Sequence, residues 1–228
     1  MLKDLLNLFF PNYCLACQQT PLVQGEELIC TPCAYELPQT DCYATLDNLI
    51  AQKLYGHLPV SYACSLYKLR KGSGVERLLY ALKYGNKPQV GSFLGKKHGT
   101  VLAQMPWCQK FDLIVPIPLH STRIRQRGYN QSSLFAQGLS EVLGVPWEDT
   151  YLRRIKKTTT QTKKSRFERL QNVADAFCIT VPQAISDRHI LLVDDVITTG
   201  ATLSSCGKVL MTANAKSLSV ATIAVAES

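Results

Sequence analysis

The chain has 228 residues, of which 46% are hydrophobic and 18% are charged, and its formal net charge is +8. This balance excludes an intrinsically disordered chain, and the length allows one full domain with a small appendage. The positive charge favours a polyanionic partner, either a phosphorylated small molecule or a nucleic acid, and does not choose between them.

The first eleven residues, MLKDLLNLFFP, predict a short amphipathic helix that docks onto the rest of the protein. Their apolar stretch is too short for a secretory signal peptide, and Asp4 carries the wrong charge. Elsewhere the longest apolar runs are far shorter than the roughly 20 residues that a membrane-spanning helix needs. We therefore expect a cytoplasmic protein with no membrane insertion.

Two C-x-x-C pairs follow, Cys14 with Cys17 and Cys30 with Cys33, and twelve residues separate them. Each pair can direct two thiolates at one ion, so the two pairs together can complete a tetrahedral four-cysteine site. A redox C-x-x-C would not need a second copy, and chance surface cysteines rarely form two matched pairs. The pattern predicts a structural zinc ion bound by these four cysteines, with Cys42 as a conceivable substitute ligand.

The rest of the chain alternates between helical and strand-like patterns. Helices are predicted over 46–55, 75–83, 89–103, 129–143 and 201–212. Strands are predicted over 60–69, 111–116, 150–155, 176–181, 189–193 and 217–225. This alternation predicts an α/β domain at 46–228 with a mostly parallel sheet and helices on both faces. The preceding residues, 1–45, are predicted to form a separate small segment with the N-terminal helix and the zinc site.

One stretch carries the chemistry, because a buried strand ends there in the adjacent carboxylates of Asp194 and Asp195. The sequence TTGAT at 198–202 then turns into a helix. Gly200 permits a backbone conformation barred to other residues, and the helix N-terminus and threonine hydroxyls supply hydrogen-bond donors for a phosphate. No lysine follows the glycine, so the turn is not a nucleotide-binding P-loop.

Carboxylates repel phosphate, so we expect the acid pair to accept hydrogen bonds from sugar hydroxyls or to bind magnesium. Helix capping accounts for each of these residues separately, but not for two carboxylates in a row at the end of a buried strand. The stretch therefore predicts a sugar-phosphate site beyond the carboxyl ends of the strands, where α/β proteins bind their ligands.

The same stretch resembles the motif with which type I phosphoribosyltransferases bind 5-phosphoribosyl-1-pyrophosphate (PRPP). Four further features are the double C-x-x-C, LKY at 82–84, PIPLH at 116–120 and RGYNQS at 127–132. With these features and the spacing from Gln161 to Asn172, the chain is similar to the ComF (ComFC) family of competence-associated proteins over nearly its whole length. The resemblance implies a phosphoribosyltransferase fold and a role in natural transformation.

The resemblance also implies roles for individual residues. Asp194 and Asp195 would contact the ribose hydroxyls of PRPP bound with magnesium, and a basic segment would close over the polyphosphate. The 5′-phosphate would be bound by Thr198, Thr199, Gly200, Ala201 and Thr202, and the pyrophosphate by the loop of Ile117, Pro118 and Leu119. The candidate catalytic residues are Asp194, Asp195 and Arg127.

Two basic clusters are interleaved with an aromatic residue, as in proteins that bind single-stranded nucleic acids. The candidate nucleic-acid-binding residues are Arg123, Arg125, Arg127, Tyr129, Lys163, Lys164 and Arg166. PRPP is itself a dense polyanion, so the same arginines would equally serve that ligand alone. Two hypotheses stay open: a PRPP-binding protein that handles single-stranded DNA in natural transformation, and a magnesium-dependent phosphoribosyltransferase with an unknown acceptor.

Overall fold

The structure of the protein is a computed structural model that describes residues 11–43, 45–155 and 176–227. The helix predicted over 1–11 lies almost entirely outside these residues. The second basic cluster, with Lys163, Lys164 and Arg166, also lies outside them.

A four-stranded parallel sheet forms the centre of the fold, and a short antiparallel pair lies apart from it. The strands are β1 (Ala63–Leu69), β2 (Leu113–Pro116), β3 (Leu152–Arg154), β4 (Phe177–Ile179), β5 (His189–Ile197) and β6 (Ser217–Ala226). The sheet order is β1-β6-β5-β2, and β3 pairs with β4. Successive residues 190–193 of β5 are all fully buried, so both faces of the sheet are covered, as an unbroken apolar run predicts. The predicted parallel α/β fold is confirmed.

Seven α-helices occur in the part of the chain that the structure describes. They are α1 (Thr31–Glu36), α2 (Leu49–Gln52), α3 (Gly74–Lys83), α4 (Gln89–Leu102), α5 (Ser121–Arg127), α6 (Gln131–Leu143) and α7 (Ala201–Thr212). Helix α4 packs on α6, which packs on β2 and β5. Gly95 and Gly138 allow the two helices to approach closely, since a Cβ on Gly138 would lie 2.9 Å from the Cα of Gly95.

Local hydrogen bonds explain where helices depart from the predicted bounds. Asn48 caps α2 by accepting from the backbone N–H groups of Ile50 and Ala51, so this helix begins later than predicted. Asn130 caps α6 in the same way through Ser132 N–H, and α6 begins at Gln131 instead of at 129. Helix α5 was not predicted, because none of its residues is buried and it lacks an apolar stripe.

Short segments pair with both outer strands of the sheet. Thr40 N–H donates to the Leu66 carbonyl at 3.0 Å and Lys68 N–H donates to the Pro38 carbonyl at 2.8 Å, along the outer edge of β1. On the other side Ile114 of β2 forms a parallel bridge with Trp147. These contacts protect edges that would otherwise expose unpaired backbone groups. The first contact also ties the cysteine-rich segment, residues 14–42, to the sheet. Among the described residues, no helix combines the length and the apolar character that spanning a membrane requires.

Candidate ribose-phosphate site and cysteine cluster

The acid pair lies where β5 has passed the end of its neighbour β2. Strand β2 ends at Pro116 opposite Val193, whereas the pairing of β5 with β6 continues to Ile197. The strand predicted over 189–193 is therefore four residues longer, because its partner β6 supports it beyond the acid pair. Ile117 N–H donates to the Val193 carbonyl at 2.9 Å, so the loop at 117–119 begins directly beside Asp194.

The two carboxylates have different environments. The Oδ1 of Asp194 accepts hydrogen bonds from Ser132 Oγ at 2.9 Å and from the backbone N–H of Asp195 at 2.8 Å. The Oδ2 of Asp195 lies 3.0 Å from Lys83 Nζ. Desolvation, and then repulsion by the Asp195 carboxylate, raise the pKa of Asp194 to about 7 despite its two hydrogen bonds. A carboxyl whose pKa is so strongly raised by burial and by a neighbouring charge is typical of a functional site.

The turn after the strand has the geometry expected of a phosphate site. Gly200 has φ +76°, in the left-handed region, and a Cβ there would lie 2.9 Å from the Lys53 carbonyl oxygen. Gly200, the N-cap residue of α7, has no side chain to cap the helix, and Thr199 Oγ1 accepts from the Ala201 N–H only at 3.5 Å. Ala201 and Thr202 are exposed, so an anion can reach the start of the helix. The exposed residues of the turn are Thr198, Thr199, Ala201 and Thr202.

The RGYNQS segment connects the parts of this site. Asn130 Nδ2 donates to the Ile117 carbonyl at 2.9 Å, and Tyr129 OH donates to the Leu82 carbonyl at 2.6 Å. Ser132 reaches Asp194, as described above. Lys83 and Ser132 were not predicted as site residues, although Lys83 lies in the LKY motif and Ser132 in the RGYNQS motif. The signal for both residues is a polar side chain within a short, distinctive motif, and from the sequence these motifs were related to a family but not to the site.

A cavity of about 580 Å³ opens beside Lys83. The described residues that line it are Lys83, Tyr84, Asn86, Arg123, Gln126, Arg127, Gly128 and Tyr129. The guanidinium carbon of Arg127 lies 5.0 Å from the ring centroid of Tyr84. The structure thus brings Arg123, Arg127 and Tyr129 to one cavity next to the acid pair, whereas Arg125 is exposed on α5 and does not line it.

The four predicted zinc ligands form one cluster. Their sulfur atoms all lie within 4.8 Å of one another, and those of Cys17 and Cys30 are 4.0 Å apart. Tetrahedral zinc with Zn–S bonds of about 2.3 Å requires sulfur atoms about 3.8 Å apart, so this donor set fits zinc. Hydrogen bonds from the Gln19 backbone, and then from Thr20, lower the pKa of Cys17 to about 6. Burial, and then hydrogen bonds with the neighbouring thiols, raise the pKa of Cys33, and a bound dication would favour the thiolate of both residues.

Cys42 does not join this cluster in the described part of the chain. Its sulfur lies 2.9 Å from Thr40 Oγ1 and accepts a hydrogen bond from Ser65 N–H at 3.2 Å. Cys42 is buried, and this burial raises the pKa of its thiol. The residue is thus part of the packing between the cysteine-rich segment and β1, and it is not a substitute metal ligand.

Several known proteins are similar to this chain in sequence. The phosphoribosyl transferase domain family matches residues 130–228. "Competence protein F" of Haemophilus influenzae is 42% identical over 100 residues, which cover 43% of this chain and 44% of that protein. "DNA utilization protein YhgH" of Escherichia coli K12 is 28% identical over 225 residues, which cover 92% of this chain and 95% of that protein.

Two further matches are more distant or more partial. "Competence protein ComFC" of Bacillus subtilis is 34% identical over 102 residues, 45% of this chain and 39% of that protein. The glutamine PRPP amidotransferase structure from B. subtilis has a TM-score of 0.43 and 22% identity, and the match covers 63% of this chain and 30% of that one. The chain thus spans less than half the length of the Haemophilus and Bacillus relatives. The chain is thus similar to proteins of the ComF/ComFC family, and its residues 130–228 match the phosphoribosyl transferase domain family.

Proposed function

We propose that the chain binds PRPP with magnesium at the carboxyl edge of its sheet and acts in DNA uptake. One observation carries the proposal: the acid pair, the exposed start of α7 and the loop at 117–119 meet at one edge of the sheet. Each supplies what a different part of PRPP requires. Carboxylates suit ribose hydroxyls, and N–H groups at the start of α7 suit the 5′-phosphate. In the loop, Ile117 N–H is bonded to Val193 and Pro118 has no N–H, so donors for the pyrophosphate come from Leu119 and the residues that follow it.

In this proposal the turn at 198–202 binds the 5′-phosphate and Asp194 and Asp195 bind the ribose hydroxyls. The pyrophosphate lies against the backbone of Ile117, Pro118 and Leu119. Magnesium is usually held by one or two carboxylates together with substrate phosphates, and Asp194 and Asp195 are the carboxylates available there. Bound in this way, it would neutralise phosphate charge. Lys83 holds the Asp195 carboxylate in place from the cavity side.

The role in DNA uptake is supported by the names of the relatives, which refer to competence and to DNA utilization. The net charge of +8 supports a polyanionic partner as well. We therefore propose that the protein handles single-stranded DNA, and that the cavity side chains Arg123, Arg127 and Tyr129 take part. Further candidates for contact with the strand are proposed because of their positive charge in the sequence. They are Arg125, Lys163, Lys164 and Arg166.

Transferase turnover is the second candidate function, and the cavity beside Lys83 favours it because an acceptor needs space near the ribose. In that case Asp194, Asp195 and Arg127 act by orienting PRPP and offsetting the charge of the departing pyrophosphate, without a nucleophilic side chain. The acceptor would attack the anomeric carbon, and pyrophosphate would leave with its bonding electrons. Release of pyrophosphate on addition of candidate acceptors measures this activity.

Titration calorimetry with PRPP and magnesium tests the binding proposal. We expect one site per chain and a loss of affinity of about tenfold or more in Asp195→Asn, because a hydrogen bond to a charged group contributes about 1.5–3 kcal/mol. Asp187→Asn is the matched control, since Asp187 is an exposed acid at the opposite end of β5 whose left-handed φ of 58° asparagine tolerates. An intact chain that gives no heat with PRPP at two temperatures contradicts the proposal.

A further inference from the structure

Two tyrosines on α3 and at its end are exposed beside the cationic cavity. Tyr80 is 65% exposed and Tyr84 is 66% exposed, and their ring centroids are 5.2 Å apart. The residues of α3 that are buried lie on its other face and fill the core. The core therefore does not account for either tyrosine, and their two rings form an aromatic step that faces solvent.

Positive charge lies against this aromatic step. The Arg127 guanidinium lies over the Tyr84 ring, and Lys83 and Arg123 line the same cavity. The described lining residues of this cavity include three cations and no carboxylate. Rings and cations side by side are the combination with which proteins bind single-stranded nucleic acids, where bases stack on aromatic side chains and phosphates contact the basic groups.

Other occupants fit this surface less well. A small polyanion would use the cations but has no aromatic group to stack on two exposed rings. An apolar protein segment would use the rings but would bring no anion to Arg123 and Arg127. A nucleic acid duplex keeps its base faces stacked on one another, so they are not available to tyrosine rings. An unpaired strand satisfies both the rings and the cations.

We propose that Tyr80 and Tyr84 stack on bases of a single-stranded nucleic acid whose phosphates are bound by Arg123 and Arg127. This inference rests on the proposed function, because it assigns a binding surface to the single-stranded DNA that the protein is proposed to handle. Lys83 lines the cavity and contacts Asp195, so the strand passes next to the ribose-phosphate site. The two sites are then neighbours on one face of the molecule.

Fluorescence anisotropy with a fluorescein-labelled oligo(dT) strand tests the surface. Replacing a stacking aromatic residue by alanine typically lowers the affinity for a single strand about tenfold or more. We therefore expect at least that loss of affinity for Tyr84→Ala and an unchanged affinity for Tyr84→Phe. Tyr35→Ala is the control, because Tyr35 is 83% exposed on α1, away from the cavity. Arg123→Gln is expected to lower the slope of log affinity against log salt by about 0.7, the value for one phosphate contact.

The outcomes separate the surface from the function. If the intact chain binds oligo(dT) and the Tyr80→Ala/Tyr84→Ala protein binds it equally well, the surface is wrong and DNA handling stands. If the intact chain does not bind the strand even at low salt, the DNA-handling part of the proposed function fails together with the surface. A loss in Tyr84→Phe as large as in Tyr84→Ala also overturns stacking, since phenylalanine keeps the ring.

Discussion

Replacement of Asp194 by asparagine is expected to stabilise the free protein at pH 8 while it weakens PRPP binding. In the native protein the pKa of Asp194 is raised from 3.8 to about 7, mainly by desolvation and then by Asp195. At pH 8 the fold therefore holds a charge that it disfavours. Asparagine removes this charge and keeps a side-chain oxygen for Ser132 Oγ and the Asp195 N–H.

The sign of the pH dependence follows from proton linkage. Between pH 3.8 and about 7 the folded state holds the Asp194 proton more tightly than the unfolded state, so the free energy of unfolding falls as pH rises through this window. We expect the free energy of unfolding of Asp194→Asn to exceed that of the intact chain by on the order of 1–3 kcal/mol at pH 8. The difference should shrink toward pH 5. Urea unfolding at both pH values measures it.

Asp187→Asn again serves as the control, and its unfolding free energy should follow that of the intact chain at both pH values. If Asp194→Asn is less stable than the intact chain at pH 8, then the Asp194 carboxylate stabilises the fold and is not held there for a ligand. A gain in stability together with a loss of PRPP affinity is the pattern expected of a group retained for binding.

Removal of the cysteine cluster is expected to have the other large effect. Cys14 and Cys30 are fully buried in the core that also contains Ala16 and Leu37. The segment is also joined to α3, because Arg77 donates through Nε to the Ala16 carbonyl. Since structural zinc contributes its binding free energy to folding, we expect Cys14→Ser/Cys17→Ser to lose the metal and at least about 3 kcal/mol of stability.

Metal analysis and thermal unfolding of the purified protein measure these effects. Cys178→Ser is the matched control, because Cys178 is a partly exposed cysteine on β4 outside the cluster. A metal content that is the same before and after the double replacement contradicts a four-cysteine site. We also propose a domain boundary near residue 45. If it is correct, removal of the metal by a chelator should make the segment before this boundary sensitive to protease earlier than the domain at 46–228.

The parallel sheet and its buried strands were predictable because hydrophobic periodicity reflects local burial. The fully buried run at 190–193 and the amphipathic face of α3 both show this directly. The four-cysteine cluster was predictable for a different reason, since each C-x-x-C pair is local and two such pairs close in sequence can meet at one ion.

Contacts that depend on topology could not be predicted in this way. Ser132 and Asp194 are 62 residues apart, and their hydrogen bond exists only because α6 packs on β5. The Lys83–Asp195 pair likewise joins the end of α3 to the end of β5. The extra length of β5 depends on its register with β6, and α5 has no buried stripe that would have predicted it.

A crystal structure of the intact chain with PRPP and magnesium tests the central claim most directly. We predict the 5′-phosphate at the start of α7 within the turn at 198–202, the ribose hydroxyls on Asp194 and Asp195, and the pyrophosphate against residues 117–119. PRPP bound elsewhere on the molecule, or crystals grown with saturating PRPP in which this edge of the sheet holds none of it, would contradict the proposal.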